Sequence, residues 1–242
     1  VHYLLSEAAH QWATALGEKA AAATPMLPEV GDRFRRGVKP RDLITVSQWA
    51  DRHRELRSGT NAPGPWHNAL TPYLVEIMDA LSEHSSVRQV TFMKSSGVGG
   101  TEAMFNWIGY LMHHLGNKDL LCVMPTLELR DRSFNPRLAK MIDESPALAG
   151  LVSTAKRDRA NRGDLLEYGA RSRIIKAGAN SPDSLRSDHL PYVICDEVDA
   201  FPWDVGGEGD PMTLIENRQR TYTRAKTYLV STPTKEGASR IT

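Results

Sequence analysis

The sequence predicts an α/β fold: a largely parallel sheet flanked by helices, with an N-terminal helical extension. Three observations carry this. Short, nearly all-apolar runs recur, over Leu120–Met124, residues 192–195 and residues 227–230. Stretches of helical periodicity separate them. One glycine-rich turn, over residues 94–100, joins a strand to an amphipathic helix. Apolar strands between helices imply a sheet covered on both faces, the setting that parallel strands need. At 242 residues the chain can bury one such core and still carry an extension.

Taken in order, residues 6–22 read as a helix, because Ala9, Trp12, Ala13 and Leu16 share one face. A loop with Pro25, Pro28 and Pro40 follows, then a short helix over 47–56. Residues 58–65 (Ser-Gly-Thr-Asn-Ala-Pro-Gly-Pro) are turn formers and read as a linker, which divides the chain into 1–64 and 65–242. Thr71-Pro72 reads as a helix start, a capping hydroxyl followed by proline at the first helical position, and that helix runs to 81. From there strands and helices alternate. Residues 87–93 form a strand, and residues 101–115 a helix with Met104, Trp107, Ile108, Leu111 and Leu115 in one stripe. Strands are expected at Leu120–Met124, 171–177, 192–195 and 227–230.

Composition excludes several classes. Hydrophobic residues make up 40% and charged residues 24%, ordinary for a soluble globular protein. No apolar run approaches the roughly 20 residues that cross a bilayer, and the first residues lack the basic and apolar regions of a signal peptide. No membrane association or secretion is expected. Cys122 and Cys195 each sit in an apolar run without CxxC spacing, so they read as buried thiols in a reducing compartment. His113-His114 read as helix-end residues rather than metal ligands. Residues 130–176 carry eleven Lys/Arg against six Asp/Glu, and residues 186–216 one Arg against eight Asp/Glu. Such segments are either solvated faces or a basic surface for phosphates beside an acidic edge for metal.

The segment Phe92-Met93-Lys94-Ser95-Ser96-Gly97-Val98-Gly99-Gly100-Thr101-Glu102 lies between a strand and a helix. A phosphate loop belongs there, because backbone N–H groups and the helix N-terminus then face the phosphates. The usual pattern is GxxxxGK[ST]. Here Lys94 occupies its first position, Gly100 its lysine position, and Thr101 its magnesium-binding hydroxyl. A cation is needed near the β- and γ-phosphates, and Lys94 could reach across the loop to supply it. A lysine placed at Gly100 would start beside the phosphates, so Gly100→Lys is expected to be tolerated. The alternative is a glycine-rich turn that binds nothing. A second motif runs from Leu190 to Glu197, an apolar strand ending in Asp196-Glu197. There Asp196 would hold Mg²⁺, and Glu197 would polarise the attacking water as general base. A strand capped by solvated acids is the alternative. The third motif, Tyr228-Leu229-Val230-Ser231-Thr232-Pro233-Thr234, ends a strand in hydroxyls placed to couple the γ-phosphate to the glutamate. Together the three predict a P-loop NTPase of the RecA/helicase-like kind that binds ATP and Mg²⁺.

With these segments placed, the sequence resembles the large terminase subunit of lambda-like tailed phages. The resemblance runs from about 46 to 242. It rests on Pro65-Trp66-His67 with Pro72-Tyr73, Phe92-Met93-Lys94-Ser95, and Gly99 with Thr101-Glu102. It continues through Gly178-Ala179-Asn180-Ser181-Pro182, Ser184-Leu185-Arg186-Ser187 and Cys195-Asp196-Glu197-Val198-Asp199. Gly209-Asp210-Pro211 and Ser231-Thr232-Pro233-Thr234 with Gly237 complete it. The family's loop also begins with lysine, matching Lys94, while many relatives carry a second lysine where Gly100 stands.

The resemblance implies an ATPase motor that drives double-stranded DNA into a procapsid in the host cytoplasm. It implies a homo-oligomeric ring, a portal, and a small terminase subunit docked on about residues 1–57. Nucleotide contacts are expected from Lys94, Ser95, Ser96, Gly97, Val98, Gly99, Gly100, Thr101 and Glu102, with Trp66 or Tyr73 near the adenine, although Trp66 reads more readily as a core anchor. Arg186 is the first candidate for an arginine finger, and Arg132 and Arg137 are alternatives. A nuclease domain follows the motor in the family, and no nuclease activity is expected of residues 1–242. Two other readings use the same residues: a different helicase-like ATPase, or a nucleotide-binding scaffold with little turnover.

Overall fold

A computed structural model of the chain describes residues 42–57, 62–152, 163–186, 188–234 and 236–241, with isolated positions 11, 14 and 15. The expected helix over 6–22 and the loop with Pro25, Pro28 and Pro40 lie outside these residues, isolated positions aside. The chain divides into compact units Val1–Leu43 and Ile44–Thr242, and every element below belongs to the second.

Helix α1 (Val46–His53) begins with a capping box, in which Thr45 and Gln48 satisfy each other's backbone amides. Its Trp49 is fully buried against Gly109. The backbone amide of Val46 donates to Ser82 Oγ at 2.9 Å, and that of Asn68 donates to Asp51 Oδ1 at 2.8 Å. These contacts draw α1 into the main core, so the compact division lies at 43/44 rather than at the expected 64/65. Part of the expected linker is also ordered: β1 (Glu55–Leu56) pairs antiparallel with β2 (Gly64–Pro65). Helix α2 (Tyr73–Ala80) starts one residue past the expected proline. Pro72 is its N-cap, and the buried Thr71 hydroxyl has no partner among the described residues, so the expected hydroxyl cap is not made.

The remaining elements alternate. Strand β3 (Gln89–Met93) leads into α3 (Gly100–Tyr110), which continues as a wider π-turn over Leu111–Leu115. Strand β4 (Leu120–Met124) is followed by helical turns and α4 (Asn135–Glu144). Strands β5 (Leu165–Tyr168) and β6 (Ser172–Gly178) form a hairpin, then α5 (Pro182–Arg186), β7 (Tyr192–Asp196), α6 (Pro211–Asn217) and β8 (Lys226–Ser231). Among the described residues no helix is long and apolar enough to cross a membrane.

The sheet order is β3-β8-β7-β4-β6-β5. All neighbours are parallel except β5 and β6. Two apolar layers cover it. One packs α1, α2, α3 and α4 on one face and includes Cys122; the other packs α5 and α6 on the opposite face and includes Cys195. Both cysteines are free and buried, on opposite sides of the sheet. The all-apolar stripe of α3 is buried as expected, along with Ala103, Phe105 and Tyr110. Every residue of β4 is buried, whereas β3 alternates because it is an outer strand.

Candidate active site

In this order β3, β8 and β7 are adjacent and parallel, so their carboxyl ends open side by side. That edge of a parallel sheet is where ligands bind. Met93 pairs with Ser231, and Val230 with Asp196, so Lys94, Thr232 and Glu197 emerge together. The backbone amide of Lys94 donates to Ser231 O at 3.0 Å. The three motifs, read separately along the sequence, therefore form one site.

The loop after β3 turns on two glycines with positive φ, Gly97 (80°) and Gly99 (81°), and Gly99 is the left-handed N-cap of α3. The first amides of α3 have no intrahelical partner and sit at the positive end of its dipole. Lys94, Gly97, Val98, Gly99, Gly100, Thr101, Glu102 and Arg137 line a cavity of about 310 Å³. Ser95 and Ser96 are exposed and lie outside that lining.

Lys94 is buried, and its chain crosses Gly100. A Cβ at residue 100 would lie 2.6 Å from Lys94 Cδ and 3.0 Å from Val230 Cγ2. The two departures from the usual loop are thus one: the glycine makes room for the displaced lysine. A side chain at residue 100 is therefore expected to displace Lys94, against the expectation that Gly100→Lys is tolerated. Lys94 Nζ donates to Glu197 Oε1 at 3.0 Å and to Thr232 Oγ1 at 3.2 Å. The other oxygen of Glu197 accepts from Ser231 Oγ at 3.4 Å and from the Thr232 amide at 3.3 Å. Glu197 has φ 53° and ψ 54°, and no other described non-glycine residue has positive φ. A left-handed non-glycine residue is strained and persists where its surroundings hold it. Here three hydrogen bonds to its carboxylate do so.

Asp196 fits a metal ligand. Its Oδ1 is buried with no partner among the described residues. Its carboxyl pKa is pushed up to about 6, first by burial and then by the charge of Glu197, while Lys94 and Arg137 pull the other way. A buried, unsatisfied carboxylate oxygen near a phosphate loop is a donor suited to a hard cation. Thr101 lines the loop cavity, and Asp196 lies outside that lining.

The other expected residues divide. Tyr73 is exposed and its hydroxyl donates to the Val98 carbonyl at 3.2 Å, so it borders the loop. Trp66 is buried in the core, with Nε1 donating to Asn68 Oδ1 at 2.8 Å; it presents no open face to a base. Arg132 is exposed and pairs with Glu128. Arg186 pairs with Glu208, outside the cavity lining. Of the three arginines, only Arg137 lines the cavity. Asp199 is a residue whose role the sequence did not disclose. It accepts from the amides of Thr234, Arg240 and Ile241 and from the hydroxyls of Thr234 and Ser239, which ties down the segment after β8. A wider cleft of about 690 Å³ opens at the amino ends of the strands, between Lys118, Arg171, Tyr192 and Arg224, and is lined by none of Lys94, Asp196, Glu197 and Thr232.

The fold and the convergent motifs define a P-loop-type α/β domain. The family model for the phage terminase large subunit gpA, ATPase domain, matches residues 60–242. The chain belongs to that family. It is 26% identical over 200 residues to the terminase large subunit of Enterobacteria phage P21, a match covering 82% of the chain and 30% of the relative. It is 24% identical over 199 residues to that of Escherichia phage lambda, covering 81% and 30%. The chain thus spans about a third of the length of these curated relatives. The crystal structure of the HK97 bacteriophage large terminase shares the fold, with a TM-score of 0.60 and 14% identity over 78% of this chain and 38% of that one.

Proposed function

We propose that this domain hydrolyses Mg²⁺-ATP and spends the released energy on moving double-stranded DNA into a viral procapsid in the host cytoplasm. The observation that carries the chemistry is the meeting of Lys94, Glu197 and Thr232 at the ends of three adjacent strands. Lys94 places a compact positive charge where the β- and γ-phosphates enter. Glu197, held by Ser231 and Thr232, orients a water toward the γ-phosphorus and accepts its proton. The new bond joins that water's oxygen to phosphorus, the bond to the β–γ bridging oxygen breaks, and ADP leaves. Thr101 and Asp196 would hold the magnesium ion, which neutralises charge on the phosphates. The loop amides at Gly97–Glu102 orient the phosphate chain, and Tyr73 borders the entry from the base side.

The coupling to DNA rests on the family. Ser231 and Thr232 touch both the lysine and the glutamate, so a change at the phosphate reaches β8 and, through Asp199, the segment over 234–241. The ring assembly, the portal and the small terminase subunit on residues 1–57 belong to the same reading.

The test compares the parent chain with Glu197→Gln and Lys94→Ala, with and without double-stranded DNA. Glu197→Gln is expected to keep ATP affinity and lose nearly all phosphate release, because the carboxylate acts in the chemical step. Lys94→Ala is expected to lose both. Phosphate release by Glu197→Gln at the parent rate removes the base assignment.

A further inference from the structure

Glu102 faces a cavity that has to receive a triphosphate, where a free carboxylate would repel the ligand. It is not free. Oε2 accepts from Arg54 Nη2 at 3.0 Å, and Oε1 accepts from Arg137 Nη2 at 2.9 Å. Two arginines on one carboxylate leave the group with one net positive charge.

The two arginines differ. Arg54 caps α1 and its side chain is only 4% exposed. Its Nη1 also donates to Glu55 O at 2.6 Å, and its carbonyl accepts from the Trp66 amide. It is fixed in the core and anchors Glu102 from behind. The side chain of Arg137 is 44% exposed and reaches the cavity from α4. Its guanidinium lies 5.2 Å from the centre of the Phe105 ring. That contact and Glu102 hold it on two sides. Among the described residues nothing else bonds it, so part of its planar set of donors stays open. Its charge is also felt at Asp196. Lys94, the other cation in the lining, is already shared between Glu197 and Thr232.

We propose that Arg137 contacts the terminal phosphate of a bound nucleoside triphosphate from within the same chain, and that Glu102, anchored by Arg54, is the residue that positions it. The inference rests on the nucleotide reading above and revises one part of it: Glu102 serves the nucleotide through Arg137 rather than by touching it. Planar guanidinium donors suit phosphate oxygens. The arrangement also gives α1 a link to the phosphate site, through Arg54.

The experiment measures ATP and ADP affinity, phosphate release and thermal midpoint for the parent chain, Arg137→Ala, Arg137→Lys, Glu102→Gln and the double variant Arg137→Ala/Glu102→Gln. Arg137→Ala is expected to lower phosphate release about 10³-fold, the low end for an arginine acting on a transferring phosphoryl group. It should weaken ATP and leave ADP within about two-fold, since ADP lacks the terminal phosphate. Arg137→Lys should recover only part of the rate. Glu102→Gln keeps an acceptor for Arg54 but loosens Arg137, so phosphate release falls while ADP affinity holds. Adding it to Arg137→Ala should cost nothing more, because both act through one group. Phosphate release by Arg137→Ala within about three-fold of the parent overturns the proposal, as does equal weakening of ATP and ADP. Additive losses in the double variant overturn the positioning role of Glu102. A parent chain that binds neither nucleotide removes the nucleotide reading itself, and this inference with it.

Discussion

At the scale of single residues, the site turns on how Lys94 and Gly100 share space. Read along the chain, the two positions look like separate departures from a phosphate loop; packed together, each explains the other. Gly100→Ala puts a Cβ 2.6 Å from Lys94 Cδ and 3.0 Å from Val230 Cγ2. The lysine is the softer neighbour, so it gives way and leaves Glu197 and Thr232. Phosphate release is expected to fall at least about ten-fold, with a stability cost of about 1–3 kcal/mol from overpacking. Gly100→Lys should be at least as harmful. A parent-like rate in Gly100→Ala would show that Lys94 does not need that path. Residue identity carried much of this site: Lys94, Asp196, Glu197 and Thr232 were legible because their chemistry sits at strand ends. What sequence could not supply was direction. Trp66 is readable as a core anchor as well as a base contact, and it lies in the core, while Tyr73 borders the loop. Sequence places Arg186 ahead of Arg132 and Arg137, yet only Arg137 lines the cavity.

At the scale of elements, periodicity located most strands and helices, because a buried strand or stripe must be apolar wherever it occurs. Misses came where another force decided. Residues 64–65 look like linker, yet they pair with β1, since α1 behind them is held by Trp49. Strand β5 is four residues long and lies at an antiparallel edge, too short for alternation to show. Helix α1 offers a direct test. A Cβ on Gly109 would lie 2.1 Å from Trp49 Cη2, and both residues are buried. Gly109→Ala is expected to destabilise the domain by about 1–3 kcal/mol or more. The drop in thermal midpoint should be about 2–4 °C per kcal/mol. Strand β6 offers another. Lys176 is buried in it, and its pKa falls from 10.5 to about 8, first through burial and also through the charge of Arg130. Below pH 8 the ammonium is charged in both states, and only the folded state bears the cost. The folded chain releases its proton first, so stability rises between pH 8 and about 10.5. The full penalty is about 3 kcal/mol. Lys176→Met should therefore melt higher than the parent at pH 7, and the gain should shrink by pH 10. A gain that stays constant with pH would assign the effect to packing alone.

At the scale of the whole molecule, class and layer order were legible from the alternation of elements, but strand order was not. Nothing in a linear sequence says that the last strand enters between the first and the acidic one. Position in the molecule also bears on Arg186. It sits on α5, paired with Glu208, while Arg137 occupies the cavity. If Arg186 completes the site of a neighbouring copy, Arg186→Ala and Lys94→Ala should each be slow alone yet recover phosphate release when mixed. A mixture no faster than the sum of its parts would place Arg186 outside the reaction. The central place of β8 reaches back to the chain's synthesis. Lys94 meets Thr232 across 138 positions, and among the described residues β3 is bonded to the sheet only through β8. While the chain is being made, β7 can settle beside β4 as soon as it emerges, but β3 has no bonded neighbour in the sheet until residue 231 exists. Long-range parallel pairing of this kind is slow to form. The phosphate loop, although written more than a hundred residues earlier, is therefore expected to become a binding site only after β8 has been made. Chains made only as far as β7 are expected to bind no nucleotide, whereas chains that include β8 should bind it.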